Sequence, residues 1–233
     1  MRDRRESLVK LASAVAFLAI ATVAVLIVVS QSGSSGGDSG HIVSVPEVER
    51  ELQGIPQHGM VLGHPDAKVA LVEFGDLQCT SCKAASEGIL PDVIAGPVRS
   101  GEAKLDYRAF TIIGAESTPA AAAAIAAGEQ GRGWDFVEIF YRNQGEEDSG
   151  YVSDGFLTAL ARHAGVPDID RWNRERESEA VLREVEAQTA EAKRLGFTGT
   201  PSFAVEGPAT EGLEPLEPTE SATDLESAIA NAR

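Results

Sequence analysis

The two cysteines of this 233-residue chain, Cys79 and Cys82, lie three positions apart in the segment GDLQCTSCKAA. A disulfide between them closes so short a loop that it restricts the unfolded chain very little. The spacing is therefore more typical of a bond that opens and closes than of a structural cross-link. Permanent oxidation and metal binding are the alternatives.

The cysteines follow a short apolar strand and open a helix. The strand is predicted from KVALVEFGD and ends at Gly75-Asp76, and the helix from Cys79 to Leu90, stopped by Pro91. A helix N-terminus lowers the pKa of a cysteine, because unpaired N–H groups and the helix dipole favour the thiolate, which is the nucleophile in thiol exchange. Cys79 is expected at that N-terminus, with Cys82 one turn along the same face. Thr80 and Ser81 are expected to offer hydroxyls to the sulfur.

A zinc site is the less favoured alternative, since zinc needs four ligands and the chain has no second cysteine pair. His58 and His64 could complete a set, but their spacing is unlike that of known zinc ribbons and fingers. We therefore predict no metal and no cofactor other than a redox-active Cys79–Cys82 disulfide.

The N-terminal region predicts a membrane anchor over residues 8–29. From Leu11 to Val29 there are 19 residues without a charge, which as a helix span about 28 Å, close to the thickness of a bilayer core. Basic residues before this run mark residues 1–7 as cytoplasmic and place the remainder outside. A cleavable signal peptide is the alternative; it is usually shorter in its apolar part, and it exports the protein equally.

Residues 30–57 are predicted to be a flexible linker and lead-in. Nine of the eleven residues over 30–40 are Ser or Gly, which cannot bury apolar surface. Pro46 and Pro56 interrupt the part that follows, and the folded domain is expected to occupy 58–233.

The remaining elements are predicted in the order strand, cysteine helix, strand, several helices, strand and terminal helix. The second strand is expected over 103–112, and the next helix to begin at Pro119 and end just before Gly128. In the helix after it, Trp134, Phe140 and Tyr141 lie at helical spacing and are expected in the core. This order is that of an α/β sheet with a helical insertion.

The charge balance excludes nucleic acid as a partner. The formal net charge is −16, and nearly all of the acidic residues lie beyond the N-terminal segment. Such a surface repels phosphate backbones and favours solubility.

Two separated motifs, VEFGDLQCTSC and LGFTGTPSF, resemble those of exported thiol–disulfide oxidoreductases of the DsbA type, within the thioredoxin superfamily. The resemblance extends from about Gly63 to Gly207 and includes GEQGRGWDFVEIFYRNQ. It implies a thioredoxin-like fold with an inserted helical domain, at about 113–195, preceded here by a single N-terminal transmembrane helix.

The resemblance also implies roles for individual residues. Cys79 exchanges with substrate and Cys82 resolves the mixed disulfide, while Thr200 and Pro201 match a cis-proline loop that faces the cysteines and pairs with an extended substrate strand. Glu73 matches a buried acid that takes a proton from Cys82; a polar side chain on the outer face of the strand is the alternative. Thr80 and Ser81 stand where many relatives carry proline or histidine, so no charged side chain between the cysteines stabilises the thiolate.

The sequence thus predicts an extracytoplasmic, membrane-anchored oxidoreductase that exchanges its disulfide with cysteines of exported proteins. A membrane partner would reoxidise or reduce it. Oxidation is the expected direction, since disulfides are made outside the cytoplasm. A reductase or isomerase of the same fold, and a tethered peptide-binding module without turnover, are the alternatives.

Overall fold

The computed structural model describes residues 42–233. The predicted cytoplasmic segment 1–7, the anchor 8–29 and the Gly/Ser tract 30–40 lie outside the described residues and stay predictions. Among residues 42–233, no helix is both long and apolar enough to cross a bilayer.

A mixed sheet with the order β1-β2-β4-β3-β5-β6 forms the centre of the domain. Its pairs are antiparallel except for the parallel pair of β3 and β4. Within the described residues its strands are Gln57–His58 (β1), Val61–Leu62 (β2), Val69–Gly75 (β3), Ala103–Ala109 (β4), Ser202–Glu206 (β5) and Glu214–Pro215 (β6).

Helices surround this sheet, and five of them lie between strands β4 and β5 in the sequence. In the same residue range the helices are Val45–Leu52 (α1), Thr80–Gly88 (α2), Leu90–Val93 (α3, continued by a π-helical turn over Ile94–Val98), Ser117–Gly128 (α4), Gly133–Arg142 (α5), Asp154–His163 (α6), Ile169–Arg176 (α7), Glu179–Arg194 (α8) and Ala222–Asn231 (α9). The α/β architecture with a thioredoxin-like mixed sheet is therefore confirmed.

Strand β3 is buried on both faces because it lies between β4 and β5. Leu71 belongs to the main core, whereas Val72 and Phe74 pack on the opposite face with Ala192 of α8. Side chains alternate along a strand, so Glu73 lies on the same face as Leu71. The strand thus places an acidic side chain in the main core.

Helix α4 is rich in alanine and is almost completely buried. Trp172 of α7 donates a hydrogen bond from its indole N–H to the carbonyl oxygen of Ala123, at 2.9 Å. Small side chains let the neighbouring helices approach closely. The aromatic residues predicted for the core in α5, Trp134, Phe140 and Tyr141, are all fully buried.

The packed domain begins earlier than the predicted residue 58. Pro46 lies in the first turn of α1, where a missing N–H costs no helical hydrogen bond. Val48 and Leu52, four residues apart, are buried on one face of this helix. The proline that was expected to interrupt the lead-in instead starts a helix.

Three other boundaries differ from the predictions. Pro91 does not end the cysteine helix. That helix, α2, ends at Gly88, and Pro91 lies in the first turn of α3. Strand β4 ends at Ala109, because the N–H groups of Ile112 and Ile113 donate to Asp76 instead of to a strand. Gly128 is the last residue of α4; a Cβ there would lie 2.9 Å from the backbone of Gly59, so close packing explains this glycine.

Candidate active site

Cys79 is the N-cap residue of helix α2, in an extended conformation. Its N–H donates to the carbonyl oxygen of Asp76, at 2.9 Å, and its own carbonyl accepts from Lys83. Cys82 lies one turn later and is completely buried, whereas Cys79 retains 6% of its exposure. Both are free thiols, so the structure represents the reduced form.

Asp76 fixes the turn that leads from β3 to the cysteines. Its Oδ1 accepts from the N–H of Gln78, and its Oδ2 accepts from the N–H groups of Ile112 and Ile113, at 2.8 and 3.0 Å. A buried carboxylate with three backbone donors holds two loops together, which makes the position of Cys79 rigid.

The surroundings of Cys79 favour its thiolate and lower the pKa of this cysteine to about 6. The largest cause is the hydrogen bond from the Cys82 thiol. Burial opposes it, and the Thr200 side chain and the backbone N–H groups of Cys82 and Ser81 lower the pKa further. The backbone N–H groups at the helix N-terminus thus contribute to the lowered pKa of Cys79, although less than the Cys82 thiol does.

The Thr200–Pro201 peptide bond is cis, and it precedes strand β5. The Cys79 thiol donates to the Thr200 carbonyl oxygen, at 3.3 Å. The Thr200 hydroxyl is buried and accepts or donates no ordinary hydrogen bond among the described residues. It therefore has its bonding capacity available for a thiolate.

Glu73 lies fully buried behind the cysteines, and neither of its carboxyl oxygens has a hydrogen-bond partner among the described residues. Burial, together with the smaller effects of the charges of Glu138 and Cys79, raises the pKa of Glu73 to about 8. The pKa of Cys82 is also well above its ordinary value, through burial, its hydrogen bond to Cys79 and the charge of Glu73. The structure thus places Glu73 in the core and not on the outer face of the strand.

A second buried acid, Glu138 of α5, was not anticipated from the sequence. Its Oε2 accepts hydrogen bonds from Ser86 and from Arg142, which also pairs with Glu51 of α1. Burial raises the pKa of Glu138 to about 7 although Arg142 opposes this. Glu138 and Arg142 are four residues apart on one helix, but only the fold shows that this pair points inward towards Glu73.

The loop after α5 contacts the cysteine segment directly, which the sequence also did not indicate. Gln144 donates from Nε2 to the carbonyl oxygens of Leu77 and Cys79, at 2.7 and 3.1 Å. Glu147 accepts from both the N–H and the hydroxyl of Thr80. The expectation that the Thr80 hydroxyl serves the sulfur is thus wrong, because this carboxylate takes it.

A groove of about 700 Å³ opens beside the cysteines. Ser81 and the apolar face of α2 form one wall, Thr200-Pro201 forms another, and residues 218–220 form the third. Ser81 and the cis-proline loop therefore line one continuous depression. Within residues 42–233, no group of three His, Cys, Asp or Glu side chains is placed to hold a metal.

Comparisons with known proteins agree with this geometry. The chain is 28% identical over 150 residues to the "Probable disulfide bond formation protein D" of Bacillus cereus, covering 63% of this chain and 69% of that protein. It is 32% identical to a thioredoxin-like oxidoreductase from Silicibacter pomeroyi, covering 74% of this chain and 91% of that one, with a TM-score of 0.59. Oxidised BdbD from Bacillus subtilis, 22% identical, has the same fold, with a TM-score of 0.65 over 76% of this chain and 97% of that one.

The fold and the dithiol are those of a thioredoxin-like thiol–disulfide oxidoreductase. The family model described as Thioredoxin matches residues 56–224, well over half of the chain. The chain therefore belongs to the thioredoxin family.

Proposed function

We propose that this protein is a membrane-anchored, extracytoplasmic oxidant that introduces disulfides into exported proteins through Cys79 and Cys82. The observation that carries the proposal is the asymmetry of the pair. The pKa of Cys79, the less buried cysteine, is lowered to about 6, whereas that of the completely buried Cys82 is raised well above its ordinary value. In such a pair one sulfur, that of Cys79, exchanges with substrate, and the other, that of Cys82, resolves the mixed disulfide.

In the oxidising direction, a substrate thiolate attacks Cys79 Sγ of the Cys79–Cys82 disulfide. The S–S bond breaks, its electron pair leaves on Cys82, and Cys82 takes a proton from the protonated carboxyl of Glu73. A second substrate thiolate then attacks the substrate sulfur of the mixed disulfide, and Cys79 leaves as a thiolate. The substrate gains a disulfide, and the protein gains two electrons.

The stability of the leaving thiolate supports the oxidising direction. A lower pKa makes Cys79 a better leaving group and stabilises the reduced form relative to the disulfide. Glu73 serves the reverse step as well, since a carboxylate beside Cys82 accepts its proton when the disulfide forms again. A membrane redox partner supplies the oxidant for that step.

The groove beside the cysteines suits an extended substrate segment. Ser81, Thr200 and Pro201 line the groove, and the Thr200 carbonyl oxygen contacts Cys79. We propose that the backbone of Thr200 pairs with the substrate strand and that Thr80 and Ser81 border it. The extracytoplasmic location rests on the 19-residue uncharged run and the basic residues before it.

The test uses the full chain in detergent with a reduced two-cysteine peptide as substrate. The wild type, first oxidised to its Cys79–Cys82 disulfide, is expected to oxidise the peptide, and Cys79→Ser to be inactive. Cys82→Ser, given the disulfide form of the peptide instead, is expected to trap a mixed disulfide at Cys79. Equilibration with glutathione reports the direction: a potential near about −120 mV is that of an oxidant and one near about −270 mV that of a reductant. Undiminished exchange by Cys79→Ser would overturn the proposal, and a value near the lower potential would make the protein a reductase.

A further inference from the structure

Glu147 lies on the loop between α5 and α6 and caps the first N–H of the cysteine helix. Its Oε1 accepts from the backbone N–H of Thr80, at 3.2 Å, and from the Thr80 hydroxyl, at 3.3 Å. Thr80 is the first residue of α2, directly after Cys79. A carboxylate and the reactive sulfur therefore share one helix N-terminus.

The fold holds the loop in this position on both sides of Glu147. The N–H of Asp148 donates to Gln78 Oε1, at 2.8 Å, and Asp148 Oδ1 accepts from the N–H of Ala115, at 3.1 Å. A Cβ at Gly114 would lie 2.5 Å from the Asp148 side chain, so the two segments are in close contact. On the other side, Gln144 is bound to the carbonyl oxygens of the cysteine turn. Glu147 is thus directed at Thr80 by its neighbours.

The positive end of the helix dipole stabilises negative charge near the first turn, and two anions there repel each other. In the disulfide form Cys79 carries no charge, and Glu147 alone interacts with the Thr80 N–H. In the reduced form the adjacent backbone N–H groups of Ser81 and Cys82 stabilise the Cys79 thiolate. The Glu147 carboxylate is therefore more stable in the oxidised form than in the reduced form, because the Cys79 thiolate of the reduced form repels it.

Building on the proposed function, we propose that Glu147 is a positioning residue that limits the oxidising strength of the Cys79–Cys82 couple. Its charge stabilises the disulfide form at the helix N-terminus. Removing that charge makes the disulfide easier to reduce. The chain thus adjusts its redox couple from a loop outside the Cys-Thr-Ser-Cys segment.

The test compares Glu147→Gln with Glu146→Gln in the full chain, using the equilibrium constant with glutathione. An amide still accepts from Thr80, so the loop contact survives while the charge is lost. Glu147→Gln is expected to shift the equilibrium about two- to fivefold toward the reduced protein. Glu146 makes no hydrogen bond to Thr80, and its variant is expected to match the wild type.

Salt separates a charge effect from a structural one. Because 1 M salt screens charges beyond about 3 Å, the difference between Glu147→Gln and the wild type is expected to shrink there. An unchanged equilibrium in Glu147→Gln, a shift equal to that of Glu146→Gln, or a salt-independent shift would overturn the inference. A wild type without exchange would instead overturn the proposed function, so the two failures are distinguishable.

Discussion

The Cys79 sulfur lies 3.3 Å from the carbonyl oxygen of Thr200, although 121 residues separate them in the chain. Strand β3 leads into the cysteine turn and β5 follows the cis-proline loop, and these two strands pair directly. The sheet therefore brings the thiol and the loop together. The hydroxyl of Thr200 is the part of this contact that acts on the charge of the thiol.

Replacing Thr200 by Val is expected to make Cys79 less acidic. The substitution keeps the branched shape but removes a hydroxyl that lowers the pKa of Cys79. Without a hydroxyl available to the thiolate, the midpoint of the alkylation rate against pH should rise by about 0.5 to 1 pH unit. Thr198→Val, at an exposed position of the same loop, is the control, and an equal change in both variants would contradict this role of Thr200.

Replacing Glu73 by Gln is expected to change how the stability of the reduced protein depends on pH. Burial raises the pKa of Glu73 from 4.5 to about 8, so between these values the folded state holds a proton that the unfolded state has lost. That stabilising proton is fully effective below about pH 4.5 and is lost as the pH rises through about 8. The stability of Glu73→Gln relative to the wild type should therefore increase across this range, by up to about 4 kcal/mol.

Urea unfolding of the reduced protein at pH 5 and pH 8 measures this difference. The exposed Glu87 on α2 provides the control variant Glu87→Gln. Parallel stability curves for the wild type and Glu73→Gln would show that the carboxyl is ionised throughout, which would contradict its proposed role as proton donor to Cys82.

Replacing Arg142 by Met is expected to destabilise the protein most at alkaline pH. Arg142 is the cation that faces the buried Glu138, whose pKa is raised to about 7. Removing one partner of a buried pair leaves the other charge unpaired, at a cost of about 3 to 5 kcal/mol. The cost should fall as the pH is lowered, because Glu138 then takes up a proton. Arg142 lowers the pKa of Glu138, so in the variant this uptake is expected to begin above pH 7.

The double variant Arg142→Met with Glu138→Gln tests this explanation by unfolding measurements. Because the double variant carries no buried charge at position 138, much of the stability lost in Arg142→Met should return. If instead the two single effects add without recovery, the pair is not coupled as the structure indicates.

Much of the fold was predictable because its local signals agree with its packing. The apolar run of β3, the cysteine helix and the Ser178 cap of α8, whose side chain accepts from Val181, all follow local rules. The sequence does not predict the early helix α1, because a proline in a helix interior interrupts it, whereas Pro46 lies in the first turn, which tolerates proline. The error lay in the position assigned to the proline within the element.

The candidate site was predictable only where its residues are close together in the sequence or match a known motif. The cysteine pair and its helix N-terminus are adjacent in sequence, and the Thr-Pro loop was recognisable by resemblance. Glu138, Gln144 and Glu147 were not found, because each acts through a contact across 52 to 67 residues of chain. Spacing along one element carries no information about such contacts.

The pH dependence of the alkylation of Cys79 in the reduced full chain tests the central claim most directly. Cys82 is completely buried, so the accessible Cys79 should account for the fast reaction. We predict that the rate rises with a midpoint at about pH 6, as the lowered pKa of Cys79 requires. A midpoint near about 8.5, that of a free cysteine, would contradict the claim that the helix N-terminus and Cys82 make this sulfur the exchanging thiolate.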